Sequence, residues 1–214
     1  RFGKSYTANM LAAYYSKGCT SEDLFSGLAI SRSAEFKTHL NRYDVIHIDI
    51  QWFLFNCEDV NSVVTFITKS VLEELREIYS DILPKEVVSL PDGLSRIKNV
   101  TGQKFIVIVD EWDVLIRDEA ANKKVQMNYI NFLRAMFKGT EPTKYLQLVF
   151  LTGILPVKKE ISQSALNNFK LYSMLSAGPL ASYIGFTEEE VRGLCEQYDW
   201  DLEEVRRWYD GYQL

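Results

Sequence analysis

Gly3-Lys4-Ser5, Asp110-Glu111 and Thr152 are the residues of this chain whose types and spacing could carry chemistry. In a phosphate-binding loop, glycine lets successive backbone N–H groups point at a phosphate, and a lysine ammonium reaches the phosphate oxygens. A Ser hydroxyl takes one place on Mg2+, and the helix starting there adds the positive end of its dipole. Gly3, Lys4, Ser5 and Tyr6, followed at once by a helical pattern, supply those parts. The alternative is an exposed turn before a helix. Phe105 to Asp113, FIVIVDEWD, supplies the opposite half: an apolar strand ending in two carboxylates. There Asp110 would hold Mg2+ or its water, and Glu111 would orient and deprotonate an attacking water. Carboxylates at a solvated loop end are the alternative.

The elements that must position these groups are visible as hydrophobic patterns. Val45 to Asp49, Phe105 to Glu111 and Leu148 to Gly153 are short apolar runs ending in polar residues, without alternation, as in parallel strands covered on both faces. Thr152 closes the third run. In nucleotide hydrolases with an additional central strand, a polar side chain at that point lies between the phosphate loop and the Asp-Glu strand; Thr-Gly is also simply a good turn. After Ser5, Met10, Leu11, Tyr14 and Tyr15 mark a helix that Gly18 can close. Apolar residues recur at three and four from Val60 to Ile82, and more weakly from Asn122 to Phe137, predicting two more helices. Strand alternating with helix predicts an α/β fold, an open, mostly parallel sheet with helices on both faces. From Thr187, two helix starts follow without a strand: Thr187 with Glu190, and Asp201 with Glu204. The expected organisation is therefore an α/β core over 1–180 and a small helical appendage over 181–214.

Composition narrows the function classes. With 214 residues and 47% hydrophobic content the chain can bury a full core, and no apolar run reaches the length of a membrane span. A net charge of −5 argues against a broad nucleic-acid surface and leaves nucleic-acid binding unproven. Cys19, Cys57 and Cys195 form no C-x-x-C pair, and with only His39 and His47 beside them a zinc site is not expected. Unpaired thiols fit a reducing cytoplasm.

These motifs resemble those of the predicted AAA-ATPase-like family, bacterial and archaeal P-loop proteins of the AAA+/signalling-ATPase type. The resemblance rests on Arg1-Phe2-Gly3-Lys4-Ser5, Val109-Asp110-Glu111-Trp112-Asp113, Thr152-Gly153, Leu166-Asn167-Asn168, Gly185-Phe186-Thr187 through Val191, and Trp208-Tyr209-Asp210-Gly211-Tyr212. It implies a P-loop NTPase-type sheet whose first, phosphate-loop strand is missing from the chain, and a downstream domain, often nuclease-like, that the chain does not contain. ATP or ADP and Mg2+ are the implied ligands, and a homo-oligomer is a possible assembly. Where relatives carry Val-Ser-Arg after Thr-Gly, this chain has Ile154 to Lys159. Lys158 or Lys159 is then either a phosphate-facing cation or half of a solvated basic pair. Arg134 and Arg192 are available as an arginine finger, with no further sign for either.

The expected function is an ATP-binding module that hydrolyses ATP with Mg2+ as a regulatory or motor ATPase of a larger protein. The alternatives are a nucleotide-gated switch with negligible turnover, a fragment that no longer binds nucleotide, and a metal-dependent nuclease using Asp49, Asp110, Glu111 and Asp113. Asp113 is otherwise a ligand of an outer-sphere water or a helix cap. Asn167 and Asn168 are expected to cap the helix that follows rather than to reach nucleotide, and Trp208, Tyr209 and Tyr212 are expected as the packed face of a terminal helix rather than a base-stacking platform.

Overall fold

A computed structural model describes residues 3–118, 121–156, 168–173, 176–183 and 185–209. The chain divides into two compact units, Gly3–Phe169 and Lys170–Leu214.

The first unit is built on a parallel three-stranded sheet in the order β1 (Asp44–Asp49), β2 (Phe105–Asp110), β3 (Leu146–Leu151). β2 lies between the other two, and all six of its residues are buried. Its side chains alternate between two cores. Ile106 and Ile108 pack with Ala8, Leu11, Ala12 and Tyr15 of helix α1 (Lys4–Tyr15). Phe105, Val107 and Val109 face the larger core, built with α3 (Val63–Ile78), α4 (Leu90–Thr101) and α6 (Lys123–Phe137). Helices thus cover both faces of the sheet, which is why β2 carries no polar residue before Asp110. The α/β expectation holds at this level, and the arrangement is compatible with a P-loop-like fold.

Local chemistry sets the element ends. Asp49 stops β1, and its Oδ1 accepts from Trp52 N at 3.1 Å, capping α2 (Ile50–Asn56). Asn122 Oδ1 accepts from Lys124 N and Val125 N at the start of α6. Asn168 acts at the other end of that helix, donating from Nδ2 to Phe137 O at 3.2 Å, so it caps the helix before it rather than one after it. α1 stops at Tyr15, earlier than Gly18, because Ser16 is extended and bridges Tyr43 beside the sheet. α3 is shorter than the 60–82 pattern: Val60–Ser62 forms a 3-10 turn ahead of it. At its other end Tyr79 leaves the helix, and its hydroxyl donates to Asp44 Oδ2 and accepts from Lys17.

In the second unit the described residues hold a 3-10 stretch, Gly178–Tyr183, and helices α7 (Glu188–Tyr198) and α8 (Leu202–Tyr209). Both expected starts are present. Thr187 and Glu190 form a reciprocal capping box, and Asp201 Oδ1 accepts from Glu204 N at 2.7 Å. Trp208 and Tyr209, expected on a packed face, are instead 77% and 80% exposed. No helix among the described residues is long and apolar enough to cross a membrane.

Candidate functional site

Because the three strands are parallel, their C-terminal ends lie along one edge of the sheet, and the register pairs Asp49 with Asp110 there. β1 contributes Asp49, β2 contributes Asp110 and then Glu111, and β3 leads into Thr152. This edge is where an open α/β sheet binds ligands.

α1 begins at the same place. Gly3 is its N-cap with φ 74, in the left-handed region that glycine enters without penalty. No side chain caps this end, and no acidic residue stands in its first turn. Its leading N–H groups have no intrahelical carbonyl to bond, so the terminus offers donors and a positive dipole end that nothing in its own first turn neutralises. Lys4, within that turn, reaches Glu111: Nζ lies 3.4 Å from Oε1. The first residues of the chain and the end of β2, far apart in sequence, are thereby joined. Tyr6 is 71% exposed and Ser5 is also at the surface.

Asp110 is buried, and its Oδ1 accepts from Glu111 N at 2.9 Å. Glu111 itself has φ 50, which turns the chain sharply as soon as β2 ends. The next three residues are locked in place. Trp112 N donates to Thr152 O at 3.0 Å, while Thr152 N donates to Val109 O, so the segment after β3 is tied to the segment after β2. Trp112 O accepts from the fully buried Tyr129 hydroxyl at 2.7 Å. Burial first, and the Asp113 charge second, push that phenol well above its ordinary pKa, which keeps it a donor.

Asp113 is neither a surface water ligand nor a side-chain cap of the turn that follows it; it is completely buried. Its Oδ2 accepts from Ile154 N at 3.1 Å, Leu155 N at 2.8 Å and Arg117 Nε at 2.8 Å. Arg117 ends the short helix α5 (Val114–Arg117), and its second arm, Nη2, donates to Glu111 Oε2 at 3.0 Å. Arg117 was not singled out by the sequence reading. The signal was present as Asp113-x-x-x-Arg117, the spacing that puts two side chains on one face of a helical turn.

Thr152 is 6% exposed, and its Oγ1 is buried without a hydrogen-bond partner, as is Asp113 Oδ1. An orphaned buried hydroxyl costs roughly 1–3 kcal/mol. A bound group or water that accepts from it removes that cost.

Gly153 explains why this tripod of chain segments needs a glycine. A Cβ there would stand 2.4 Å from Asp113 Oδ1 and 2.7 Å from Trp112 Cδ1. Gly153→Ala is therefore expected to destabilise the fold by ~1–3 kcal/mol through overpacking. For a chain of this size that is a fall of about 2–12 °C in Tm by calorimetry. An unchanged Tm would show that the packing around Trp112 yields freely.

The other nominated residues are placed as follows. Arg134 donates to Asn131 and Arg192 to Glu188. Lys158, Lys159 and Asn167 lie outside the described residues, as do Arg1, Phe2 and Tyr212. Of the four carboxylates in the nuclease alternative, Asp49 caps α2, and Asp113 is buried with its Oδ2 taken by backbone and Arg117.

The profile of a family described as Predicted AAA-ATPase matches residues 1–161, spanning Lys4, Asp110, Glu111 and Thr152. The chain belongs to this AAA-ATPase-like family. No match was found among curated proteins or among solved structures. Membership agrees with the sequence motifs and makes nucleotide binding the general expectation for this ATPase-like chain.

Proposed function

We propose that this AAA-ATPase-like chain binds ATP at the C-terminal edge of its sheet and hydrolyses it with Mg2+, serving a larger protein as a regulatory or motor ATPase. The observation that carries the proposal is the 3.4 Å approach of Lys4 to Glu111, which puts a phosphate-binding cation beside a candidate base. A soluble, cytoplasmic setting, a nuclease-like downstream domain and self-association belong to the same proposal.

In this mechanism the α1 N-terminus and Lys4 hold the phosphates. Phosphate oxygens replace Glu111 as the partner of Lys4, freeing one carboxylate oxygen. Glu111 then accepts a proton from the attacking water at that oxygen, and the Thr152 hydroxyl donates to the phosphate or orients the water.

The donor set fits Mg2+. Ser5 and Asp110 offer hard oxygens, and the Thr152 hydroxyl nearby lacks a partner. Among the described residues no group of three or more His, Cys, Asp or Glu could hold a metal ion by itself. Mg2+ suits such a site because it is commonly held by one or two carboxylates together with substrate phosphates and water. When bound, it would neutralise charge on the phosphates.

The test is equilibrium binding of a fluorescent ATP analogue with and without Mg2+. Lys4→Ala is expected to weaken binding by ~10- to 100-fold, the loss of a charge-assisted contact. If the variant binds as tightly as the wild type, or the wild type does not bind, the site is not a nucleotide site.

A second reading, a nucleotide-gated switch with negligible turnover, has its own support. Both oxygens of Glu111 face cations, Lys4 on one side and Arg117 on the other. A carboxylate held so is an effective latch.

A further inference from the structure

The Arg117 guanidinium bridges Asp113 and Glu111, from Nε at 2.8 Å and Nη2 at 3.0 Å respectively. The Asp113 end is the fixed one: the carboxylate is fully buried and also held by two backbone N–H groups of the segment after β3. The Glu111 end is the adjustable one, since that side chain is 21% exposed and shares its charge with Lys4. A planar, permanently charged fork with one arm anchored has few orientations left for the other arm. Resting on the proposed ATPase reading, we propose that Arg117 is the positioning residue of Glu111. Asp113 anchors it, and the segment Gly153 to Leu155 sets where the anchor stands.

Division of labour follows from the two sides of the carboxylate. Lys4 contacts Oε1 and is the group that phosphate claims; Arg117 contacts Oε2 and stays anchored on Asp113. When Lys4 departs, Arg117 keeps Glu111 from swinging into solvent and leaves Oε1 as the oxygen that takes the proton. The backbone after β3 and the base at the end of β2 are thereby mechanically coupled. A shift at Ile154 and Leu155 reaches Glu111 through one carboxylate and one guanidinium.

Two measurements on the full chain test this. The first needs no turnover: 15N NMR of the Arg117 side chain reads rotation of its guanidinium. Slow rotation is expected in the wild type, faster rotation in Glu111→Gln, and loss of the signature in Asp113→Asn. A freely rotating guanidinium in the wild type overturns the clamp.

The second is the split between kcat and nucleotide affinity. Arg117→Ala is expected to lower kcat at least tenfold with the Kd of the ATP analogue changed less than about twofold. Arg117→Lys should restore only part of kcat, because an ammonium lacks the two-armed fork. Adding Arg117→Ala to Glu111→Gln should cost nothing further in kcat, since both act through one carboxylate. Additive losses, full rescue by lysine, or a loss confined to Kd would each overturn the proposal. A clamped guanidinium in a wild type that binds ATP but never hydrolyses it would instead overturn the ATPase reading, and with it the catalytic meaning of the clamp.

Discussion

Glu111→Gln is expected to lower kcat for ATP hydrolysis by ~10²- to 10⁴-fold, the range for removing a general base, while ATP binding stays intact or tightens. The amide has the shape of the carboxylate, so α1, Asp110 and Trp112 have no reason to move. It lacks the charge that now competes for Lys4 across 3.4 Å. Phosphate then meets a lysine with no rival partner, which is why the variant should bind at least as well as the wild type. Steady-state hydrolysis and direct binding, run on the same preparations, separate the cases. A parallel loss of binding and turnover would make Glu111 a ligand-holding group. Unchanged kcat would remove it from the chemistry altogether.

Trp112→Ala is the substitution expected to cost most stability. The indole is 1% exposed, the bulkiest of the fully buried side chains, and sits between the carboxylates of Glu111 and Asp113 along the chain. Truncating a buried Trp costs ~3–5 kcal/mol in lost burial and residual cavity. At this chain length that corresponds to a fall of about 6–20 °C in Tm. The bond from the Tyr129 hydroxyl runs to the Trp112 backbone carbonyl, so it survives, and the loss reports side-chain packing. Trp112→Phe should recover a good part of it. Thermal denaturation checks both; a loss under 3 °C for alanine, against the ~6 °C minimum, would mean the surrounding side chains collapse into the space.

The two halves of the site were legible in the sequence for a physical reason. A strand buried on both faces must be apolar along its length, so the first charges after Phe105 to Val109 mark the point where β2 ends, at the buried Asp110 and the partly exposed Glu111. Capping signatures were equally direct at Thr187 with Glu190 and at Asp201 with Glu204. Helix α4 was not legible. Pro91 and Gly93 are turn formers, yet proline is tolerated in a first turn, and at Gly93 the helix packs closely on α3, where a Cβ would stand 2.9 Å from the end of the Leu72 side chain. α2 was hidden by its composition, since Ile50-Gln-Trp-Phe-Leu-Phe favours strand until Asp49 caps it as helix. The Asp113-x-x-x-Arg117 spacing was visible, but what it holds depends on where Asp113 is anchored, and that anchor is the backbone of residues from another strand's end. Such a contact leaves no local pattern. Trp208 and Tyr209 were assigned to a packed face on aromatic content alone, and content does not say which side of an eight-residue helix turns inward.

The backbone of Glu111 pits durability against the turnover proposed for it. Among the described non-glycine residues at positive φ, the other two are Asn41 and Asp199, types that enter this region readily; Glu111, at φ 50, is not. Holding such a residue there costs ~1–3 kcal/mol, which glycine at the same position would release. Selection of variants for heat resistance alone would therefore favour glycine or asparagine at position 111, and each such success would delete the carboxylate proposed as the base. In this chain heat resistance and the proposed hydrolysis bear on one and the same dihedral angle.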